Sequence, residues 1–514
     1  MENSRTKNSV LTMVTSGIRQ ILTILLAFGS RTVFIYVLGA SYLGLNGLFS
    51  NVLSLLALTE LGIGGAITYY LYKPIAEDNV ERIKTLMQFY RKCYRWVGIA
   101  ILSFGCLLMP FLNKMVNLDQ PIPENLYLIY FLYVLNSSLS YLFWAYKQTL
   151  MTASQKQYKI EKINIAFTFI SCLTDIVVLL LFRNFIAYLV SKMVVTVTKN
   201  VIIAIMIDRE FPYLKDNYIV PLAKDEKKKF LKDVTNVSIF KLGSTLFNST
   251  LNIIVSMFIG TSIVGYYSNY YMVIGQVNTI FGLIMLSVTA GIGNVVATES
   301  KEKVYQVYKN LDMGVFLVNV FCTICMFQLF NSFVNIWLGR VSHQYVLSQL
   351  VVGLICLDFF INSSCQIIAT FKNASGLFSV GRDRQVIAGI VNIPLSIGLI
   401  KLFGLPGAFL SPLLCKIFIT VCPFMIDLGR MMFEKSWTTM MVDYGRKMLI
   451  LVVTSAIIWA VCYYLHERTI SYFIVETVIT AISAIALPLL FTWRTSEVKA
   501  LRNKIHIPAK FRIR

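Results

Sequence analysis

Long apolar stretches recur along the whole 514-residue chain, and short polar segments separate them. A helix needs about 20 mostly apolar residues to cross the roughly 30 Å hydrocarbon core of a bilayer. The sequence therefore predicts an all-α polytopic membrane protein with about 14 transmembrane helices. The predicted spans lie near residues 10–37, 43–72, 93–112, 124–146, 160–182, 185–207, 234–258, 263–290, 311–331, 345–371, 378–401, 406–427, 446–465 and 470–492.

The distribution of charge predicts how the chain is oriented. It has 47 Lys and Arg against 26 Asp and Glu, a net charge of +21 that in a soluble domain would suggest nucleic-acid binding. Here 36 of the 47 basic residues lie in alternate segments on the N-terminal side of the membrane, and five lie in the opposite loops. By the positive-inside rule both termini are predicted to be cytoplasmic, and no nucleic-acid partner is expected.

A short motif occurs twice and suggests an internal repeat. "GASYLG" (Gly39 to Gly44) and "GTSIVG" (Gly260 to Gly265) both read G-x-S-x-x-G, lie 221 residues apart and fall at predicted outer turns. Transporters are often built from two copies of one helical unit. We therefore predict two pseudo-symmetric six-helix lobes, at 10–207 and 234–427, joined by a cytoplasmic inter-lobe linker at 208–233. Two additional transmembrane helices at 444–492 and a basic cytoplasmic tail at 493–514 follow the second lobe.

The sequence contains little that indicates catalysis. Its three histidines, His343, His466 and His506, are far apart and lack metal-ligand spacing, and there is no Walker motif for nucleotide hydrolysis. The predicted outer loops are too short to hold a catalytic domain. We predict no enzyme activity, no metal site and no cofactor; a glycosyltransferase or polymerase is the form that catalysis would take.

Charged residues inside the predicted spans are the most informative feature. Such residues are costly in hydrocarbon and usually face a cavity or a partner. Basic residues outnumber the carboxylates well inside the spans, so the interior suits an anion, and the basic side chains are the predicted binding residues for a diphosphate or an anionic sugar. These are Arg19, Arg31, Lys192, Lys199, Lys241 and Lys416; the structural or coupling carboxylates are Glu60, Asp175 and Asp358.

Structural roles remain open for several of these groups. Arg19 lies at the depth of Glu60 and could pair with it or reach the cytoplasmic interface. Arg31 could pair with Asp175 instead of contacting a substrate. Asp358 could bind a coupling H⁺ or Na⁺, although a salt bridge is the preferred interpretation.

Two segments carry a resemblance to a known family. They are "SRTVFIYVLGASYLGLNGLFSNVLSLLALTELGIGGAITYYLYKPIAE" (Ser30 to Glu77) and "NASGLFSVGRDRQVIAGIVNIPLSIGLIKLFGLPGAF" (Asn373 to Phe409). Together with the order of the spans, they make the chain similar to the multidrug/oligosaccharidyl-lipid/polysaccharide (MOP) exporter superfamily, and within it to the Wzx-type polysaccharide-biosynthesis flippases.

This resemblance implies a flippase of the bacterial cytoplasmic membrane. It would move an undecaprenyl-diphosphate-linked oligosaccharide from the inner to the outer leaflet by alternating access, for capsule, O-antigen or exopolysaccharide synthesis. Its partners would be membrane lipid, the lipid-linked oligosaccharide, and the polysaccharide polymerase and chain-length proteins. Two alternatives remain: a flippase for the peptidoglycan lipid precursor, and a MATE-like drug or cation exporter.

Overall fold

The computed structural model describes residues 2–57, 63–118, 121–143, 145–215, 224–375, 377, 381–463 and 470–505. Within these ranges every regular element is helical. The first ten helices are α1 (Glu2–Leu38), α2 (Ala40–Leu56), α3 (Ile63–Ala76), α4 (Val80–Leu108), α5 (Leu112–Met115), α6 (Leu126–Phe143), α7 (Ala145–Ala153), α8 (Gln157–Phe182), α9 (Phe185–Glu210) and α10 (Lys224–Phe258). The others are α11 (Thr261–Thr298), α12 (Lys301–Leu338), α13 (Gln349–Ala374), α14 (Arg382–Phe403), α15 (Leu405–Cys415), α16 (Cys422–Met431), α17 (Trp437–Cys462), α18 (Ile470–Thr492) and α19 (Ser496–Ile505).

In the described part of the chain, 11 helical segments are long and apolar enough to cross a membrane. They correspond to eleven of the predicted spans. The other three predictions, at 43–72, 234–258 and 263–290, fall partly on residues or side chains outside the description, and a shorter apolar helix covers Thr245–Phe258. The prediction of an all-α polytopic membrane protein is confirmed.

Local sequence signals explain where several helices begin. The Asn184 side chain accepts a hydrogen bond from the Ala187 amide at 2.9 Å and caps the first turn of α9. Ser348 caps α13 in the same way, through the Val351 amide. Gly39 separates α1 from α2 with a φ of 83°, and Gly260 separates α10 from α11 with a φ of 153°, which are backbone angles that favour glycine.

The two G-x-S-x-x-G turns pack against each other with almost no space between their main chains. A Cβ atom built on Gly44 would lie 1.9 Å from the carbonyl oxygen of Thr261, and one built on Gly265 would lie 2.3 Å from that of Ala40. The offset of 221 residues relates Gly44 to Gly265 and Ala40 to Thr261. The two contacts are therefore equivalent under the repeat, as a local two-fold relation requires.

The helices form two compact units, one ending at Gly265 and the other beginning at Tyr266. In the first unit α1 packs along α8, α8 packs along α9, α4 packs on α6, and α10 packs on α2. One hydrophobic core of this unit includes Tyr90, whose ring contacts that of Phe230 with centroids 5.6 Å apart. This arrangement brings together α1, α8 and α9, which carry most of the predicted intramembrane charges.

In the second unit α12 packs against α13, α17 and α18, while α15 packs against α13 and α14. α17 and α18 are the two additional helices predicted at 444–492, and α17 begins earlier, at Trp437. The predicted linker 208–233 is helical at both ends, because α9 continues to Glu210 and α10 begins at Lys224. The lobe boundaries themselves stay predictions.

Candidate anion-binding site

The outer part of the candidate site lies where α1, α8 and α9 meet. Asp175 on α8 lies 3.8 Å from the Lys192 ammonium on α9 and accepts a hydrogen bond from Ser30 on α1 at 3.4 Å. Lys192 also donates to the Tyr188 hydroxyl at 2.6 Å. Arg31 follows Ser30 and interacts electrostatically with Lys192 and Tyr188. The outer cluster thus contains two cations, one carboxylate and one phenol.

A second cluster lies nearer the predicted cytoplasmic end of the same three helices. Arg19 Nε on α1 lies 2.7 Å from a carboxylate oxygen of Glu161 on α8. Gln157 donates a hydrogen bond to the other oxygen at 3.4 Å. Lys199 on α9 interacts electrostatically with both Arg19 and Glu161. This inner cluster repeats the outer composition of two cations and one carboxylate.

The helix geometry places the clusters one above the other. At a rise of about 1.5 Å per residue, Arg19 and Arg31 are about 18 Å apart along α1, and Glu161 and Asp175 are about 21 Å apart along α8. Lys192 and Lys199 are closer together, about 10 Å apart along α9. Each of the three helices carries one charge at the outer level and one at the inner level. Each level has a formal excess of one positive charge among the residues named above.

Burial separates the acidic from the basic side chains in these clusters. The carboxylate side chains of Glu161 and Asp175 are only 7% and 8% exposed, whereas Arg19 and Lys192 remain 38% and 41% exposed. The carboxylates are therefore enclosed by helix packing, and the basic groups extend from it. Such a face can offer charge-assisted hydrogen bonds to an anion while the carboxylates fix the positions of the donors.

Lys416 has a different setting from the four basic residues of α1 and α9. It begins a π-helical turn, Lys416–Val421, and its ammonium lies 2.5 Å from Asp358. Asn362 donates to the second oxygen of that carboxylate at 2.9 Å. Both side chains of the ion pair are largely buried, so Lys416 and Asp358 offset each other in charge.

Two of the predicted residues fall outside what the structure describes. Glu60 lies outside the described residues, so its predicted pairing with Arg19 is not observed here. Lys241 lies on α10, but its side chain is likewise outside the description.

Several buried charges escaped the sequence reasoning because they lie near predicted span ends. Glu161 is the observed partner of Arg19. In the second unit, Lys447 on α17 forms ion pairs with Asp312 on α12 and with Asp443 one turn earlier on α17. A charge at the end of a span has no required partner within the membrane. The Arg19–Glu161 and Lys447–Asp312 pairs also join helices distant in sequence, which no local pattern indicates.

Comparison with known proteins gives the context of this fold. No family model matches the sequence, and no curated protein matches it. Among solved structures, the lipid II flippase MurJ in an inward closed conformation has a TM-score of 0.66 at 12% identity, over 94% of this chain and 99% of that one.

Two other solved structures share the architecture over less of the chain. An inward-facing multidrug resistance MATE transporter of the MOP superfamily has a TM-score of 0.60 at 12% identity, over 82% of this chain and 98% of that one. A MOP superfamily transporter from Pyrococcus furiosus, whose binding pocket is described as having reverse polarity, has a TM-score of 0.56 at 12% identity, over 84% and 96%. This multi-pass membrane protein therefore has the fold of the MOP superfamily transporters.

Proposed function

We propose that the chain is a flippase that moves an undecaprenyl-diphosphate-linked oligosaccharide across a bacterial cytoplasmic membrane. The observation that carries the proposal is the pair of stacked clusters on α1, α8 and α9. Each cluster has two basic side chains around one buried carboxylate. A diphosphate needs compensating positive charge along its path, and cations about 18 Å apart on α1 and about 10 Å apart on α9 would supply it at two levels.

The exposure of the basic side chains supports a polar path. Arg19 and Lys192 keep about two fifths of their side-chain surface uncovered. A cation facing lipid at this depth is costly, so such surfaces favour a water-filled cavity over hydrocarbon. Arg and Lys together suit a diphosphate, because the planar guanidinium can hold two oxygens at once and the ammonium acts as a compact charge.

The likeness to MurJ supports a lipid-linked substrate. It extends over 94% of this chain, whereas the MATE likeness described above extends over 82%. The positive clusters also argue against organic cations as cargo, since they would repel a ligand of like charge. The proposal includes cytoplasmic termini, coupling to H⁺ or Na⁺, and partnership with a polysaccharide polymerase and chain-length proteins.

A second candidate function is translocation of the peptidoglycan lipid precursor. The observation that favours it is the match to nearly the whole length of a lipid II flippase. Both substrates are polyprenyl-linked diphosphates, so the basic clusters suit either one. The two substrates differ in their sugar portions, so only contacts with the sugars can distinguish them.

Reconstitution into liposomes tests the proposal. Three labelled compounds would be compared: an undecaprenyl-diphosphate oligosaccharide, the peptidoglycan lipid precursor and ethidium. Their transfer between leaflets, or uptake in the case of ethidium, would be followed with a membrane-impermeant quencher. We expect the oligosaccharide lipid to move fastest. Faster movement of the precursor would establish the second candidate, and ethidium uptake without lipid transfer would contradict both flippase functions.

A further inference from the structure

A groove lies at the end of the α8–α9 pair, on the predicted cytoplasmic side. It is a shallow groove, open along one side, that spans about 660 Å³ including the adjoining solvent space. Its lining combines long apolar side chains with charged ones: Lys159, Ile202, Ile205, Met206, Arg209 and Glu210. The two clusters described above do not include any of these residues.

The charged end of the groove is positive. Glu210 accepts hydrogen bonds from Lys156 at 2.7 Å and from Lys159 at 2.5 Å, so both lysines converge on one carboxylate. Arg209 is exposed beside them. The neighbouring Asp208 pairs with Lys147 at 2.7 Å and is thereby offset. Three cations around Glu210 leave a formal excess of two positive charges.

The apolar end of the groove lies deeper along α9. Ile202 and Ile205 are 40% and 47% exposed and lie within an apolar helix long enough to span a membrane. They precede Arg209 by seven and four residues, which is about 10 Å and 6 Å along the axis. The polar layer of one leaflet is roughly 5–7 Å thick. The cations at the interface therefore match the position of a phospholipid's phosphate, and the deeper apolar side chains match the position of its acyl chains.

The groove occupies a different face of α9 from the candidate anion-binding site. At about 100° per residue, Ile202 and Arg209 lie about 60–100° around the helix from Lys192 and Lys199, and Ile205 lies about 120–140° from them. The centre of the groove is therefore offset around α9 from the basic residues of the clusters.

We propose that this groove holds one anionic phospholipid of the cytoplasmic leaflet. Its phosphate is bound by Arg209 and Lys159, and an acyl chain lies along Ile202 and Ile205. Charge complementarity selects an anionic headgroup over a zwitterionic one. The exposed isoleucines select a lipid over a free phosphate, because only the lipid covers them.

Native mass spectrometry of the full-length protein in detergent tests this site. The probes are phosphatidylglycerol, phosphatidylcholine of the same chains, and glycerol phosphate. We expect phosphatidylglycerol to remain bound at least fivefold more than phosphatidylcholine, with no retention of glycerol phosphate. Equal retention of the two lipids, or retention of glycerol phosphate as strong as that of phosphatidylglycerol, would overturn the proposal.

Three variants locate the bound lipid. Arg209→Gln, at an exposed position that folding tolerates, should reduce phosphatidylglycerol retention severalfold, and adding Lys159→Gln should remove the preference. Ile202→Ser with Ile205→Ser should also weaken retention. The matched control changes two exposed basic residues of α4, Arg91→Gln with Lys92→Gln. A loss in the control equal to that in the groove variants would show non-specific attraction, and undiminished retention in the groove variants would place the lipid elsewhere; either result rejects the site.

Competition distinguishes this lipid from a transported one. A polyprenyl diphosphate that displaced phosphatidylglycerol from the wild-type protein, but not from Arg209→Gln, would identify the groove as a substrate site and reject a phospholipid occupant. We expect no displacement. Because flipping activity is not measured in this experiment, its result is separate from that of the proposed flippase function.

Discussion

Ser41 and Ser262 face each other with their hydroxyl oxygens 3.1 Å apart, at the point where the two repeated turns meet. The two serines are equivalent residues of the repeat, separated by the same 221 positions that relate Gly44 to Gly265. A contact between equivalent residues lies on the symmetry axis, and the reciprocal glycine contacts lie on either side of it. The two copies of the G-x-S-x-x-G motif are therefore in direct contact, at an interface between α2 and the start of α11.

Gly44→Ala should open this interface. The added Cβ atom would lie 1.9 Å from the Thr261 carbonyl oxygen, so the main chains must separate by about 1 Å or more to restore ordinary contact. We expect disulfide formation between Ser41→Cys and Ser262→Cys, in a background without other cysteines, to slow at least tenfold. The rate of crosslinking under mild oxidation measures the effect.

Two other glycines provide a graded control for that experiment. A Cβ atom on Gly47 would lie 3.3 Å from a methyl group of Val264, which can shift, and one on Gly29 would have no neighbour within 4 Å. Gly47→Ala should therefore slow crosslinking slightly, and Gly29→Ala should leave it unchanged. Equal rates for all three alanine variants would contradict a close main-chain contact at Gly44.

The sequence was sufficient to predict the helices and their apolar lengths, because a bilayer imposes a long apolar window on each span. It also identifies Arg19, Arg31, Lys192 and Lys199 as charges within the apolar segments, and their role in binding stays a prediction. Sequence depth alone could not identify neighbours. Arg19 contacts Glu161, because α1 packs along α8. The predicted pairing of Arg19 with Glu60 stays a prediction, since Glu60 lies outside the described residues. Helix packing partners depend on side-chain shape across the whole bundle.

The C-terminal helix α19 also makes a contact that the sequence does not indicate. The sequence predicts a basic tail at 493–514, and within the described part α19 begins at Ser496. Its Glu497 is almost buried and is bound by Lys309 of α12 at 2.8 Å. The basic composition gives no sign that this one acidic residue anchors the helix.

Glu497→Gln should weaken the attachment of α19. Burial alone would raise the pKa of the Glu497 carboxyl, but hydrogen bonds from Lys309, a main-chain amide and Ser496 lower it to about 2. A carboxyl whose folded pKa lies below its ordinary value stabilises the fold above pH ~4.5, and this effect is lost as the pH falls toward about 2. The shift corresponds to at most about 3 kcal/mol at pH 7.

Thermal unfolding in detergent measures this difference. The melting temperature of Glu497→Gln should lie below that of the wild type at pH 7, and the gap should narrow toward pH 3. Glu302→Gln is the matched control, because Glu302 pairs with Lys435 at 2.9 Å but is 62% exposed. Exposed ion pairs contribute under about 1 kcal/mol to the free energy of unfolding. A gap that stayed constant with pH would mean that the Glu497 carboxylate charge has no stabilising role.

Arg19 and Glu161 should show energetic coupling. Arg19→Gln removes the ion partner of a carboxylate that is only 7% exposed, which should destabilise the fold by about 1–3 kcal/mol. Glu161→Gln should lower the free energy of unfolding by less, because the more exposed guanidinium of Arg19 can be solvated. The double variant should be more stable than the sum of the single changes predicts. Stability measured for all four proteins gives the coupling, and additivity within about 0.5 kcal/mol would exclude it.

The basic residues of the two clusters should differ in transport from cations at the predicted cytoplasmic surface. Lys192→Gln and Lys199→Gln each remove one charge from a level with a formal excess of one, so either should slow flipping of the lipid-linked diphosphate about tenfold or more. Lys73→Gln is the control, since Lys73 is 84% exposed and lies on α3. Rates are normalised to folded protein in the liposomes. A comparable loss in Lys73→Gln would indicate a general surface-charge effect.

Arg31 distinguishes a binding role from a structural one. Arg31→Lys keeps the charge but loses the planar donor geometry, so it should retain part of the transport, whereas Arg31→Gln and Arg31→Glu should progressively abolish it without lowering the yield of folded protein. Asp175→Asn is the counterpart, because Asp175 contacts Ser30 and Lys192. If Arg31 serves only a structural pair, Asp175→Asn and Arg31→Gln should reduce folded yield equally, and transport per folded molecule should be unchanged. Near wild-type flipping by Arg31→Gln would show that Arg31 does not bind the transported diphosphate.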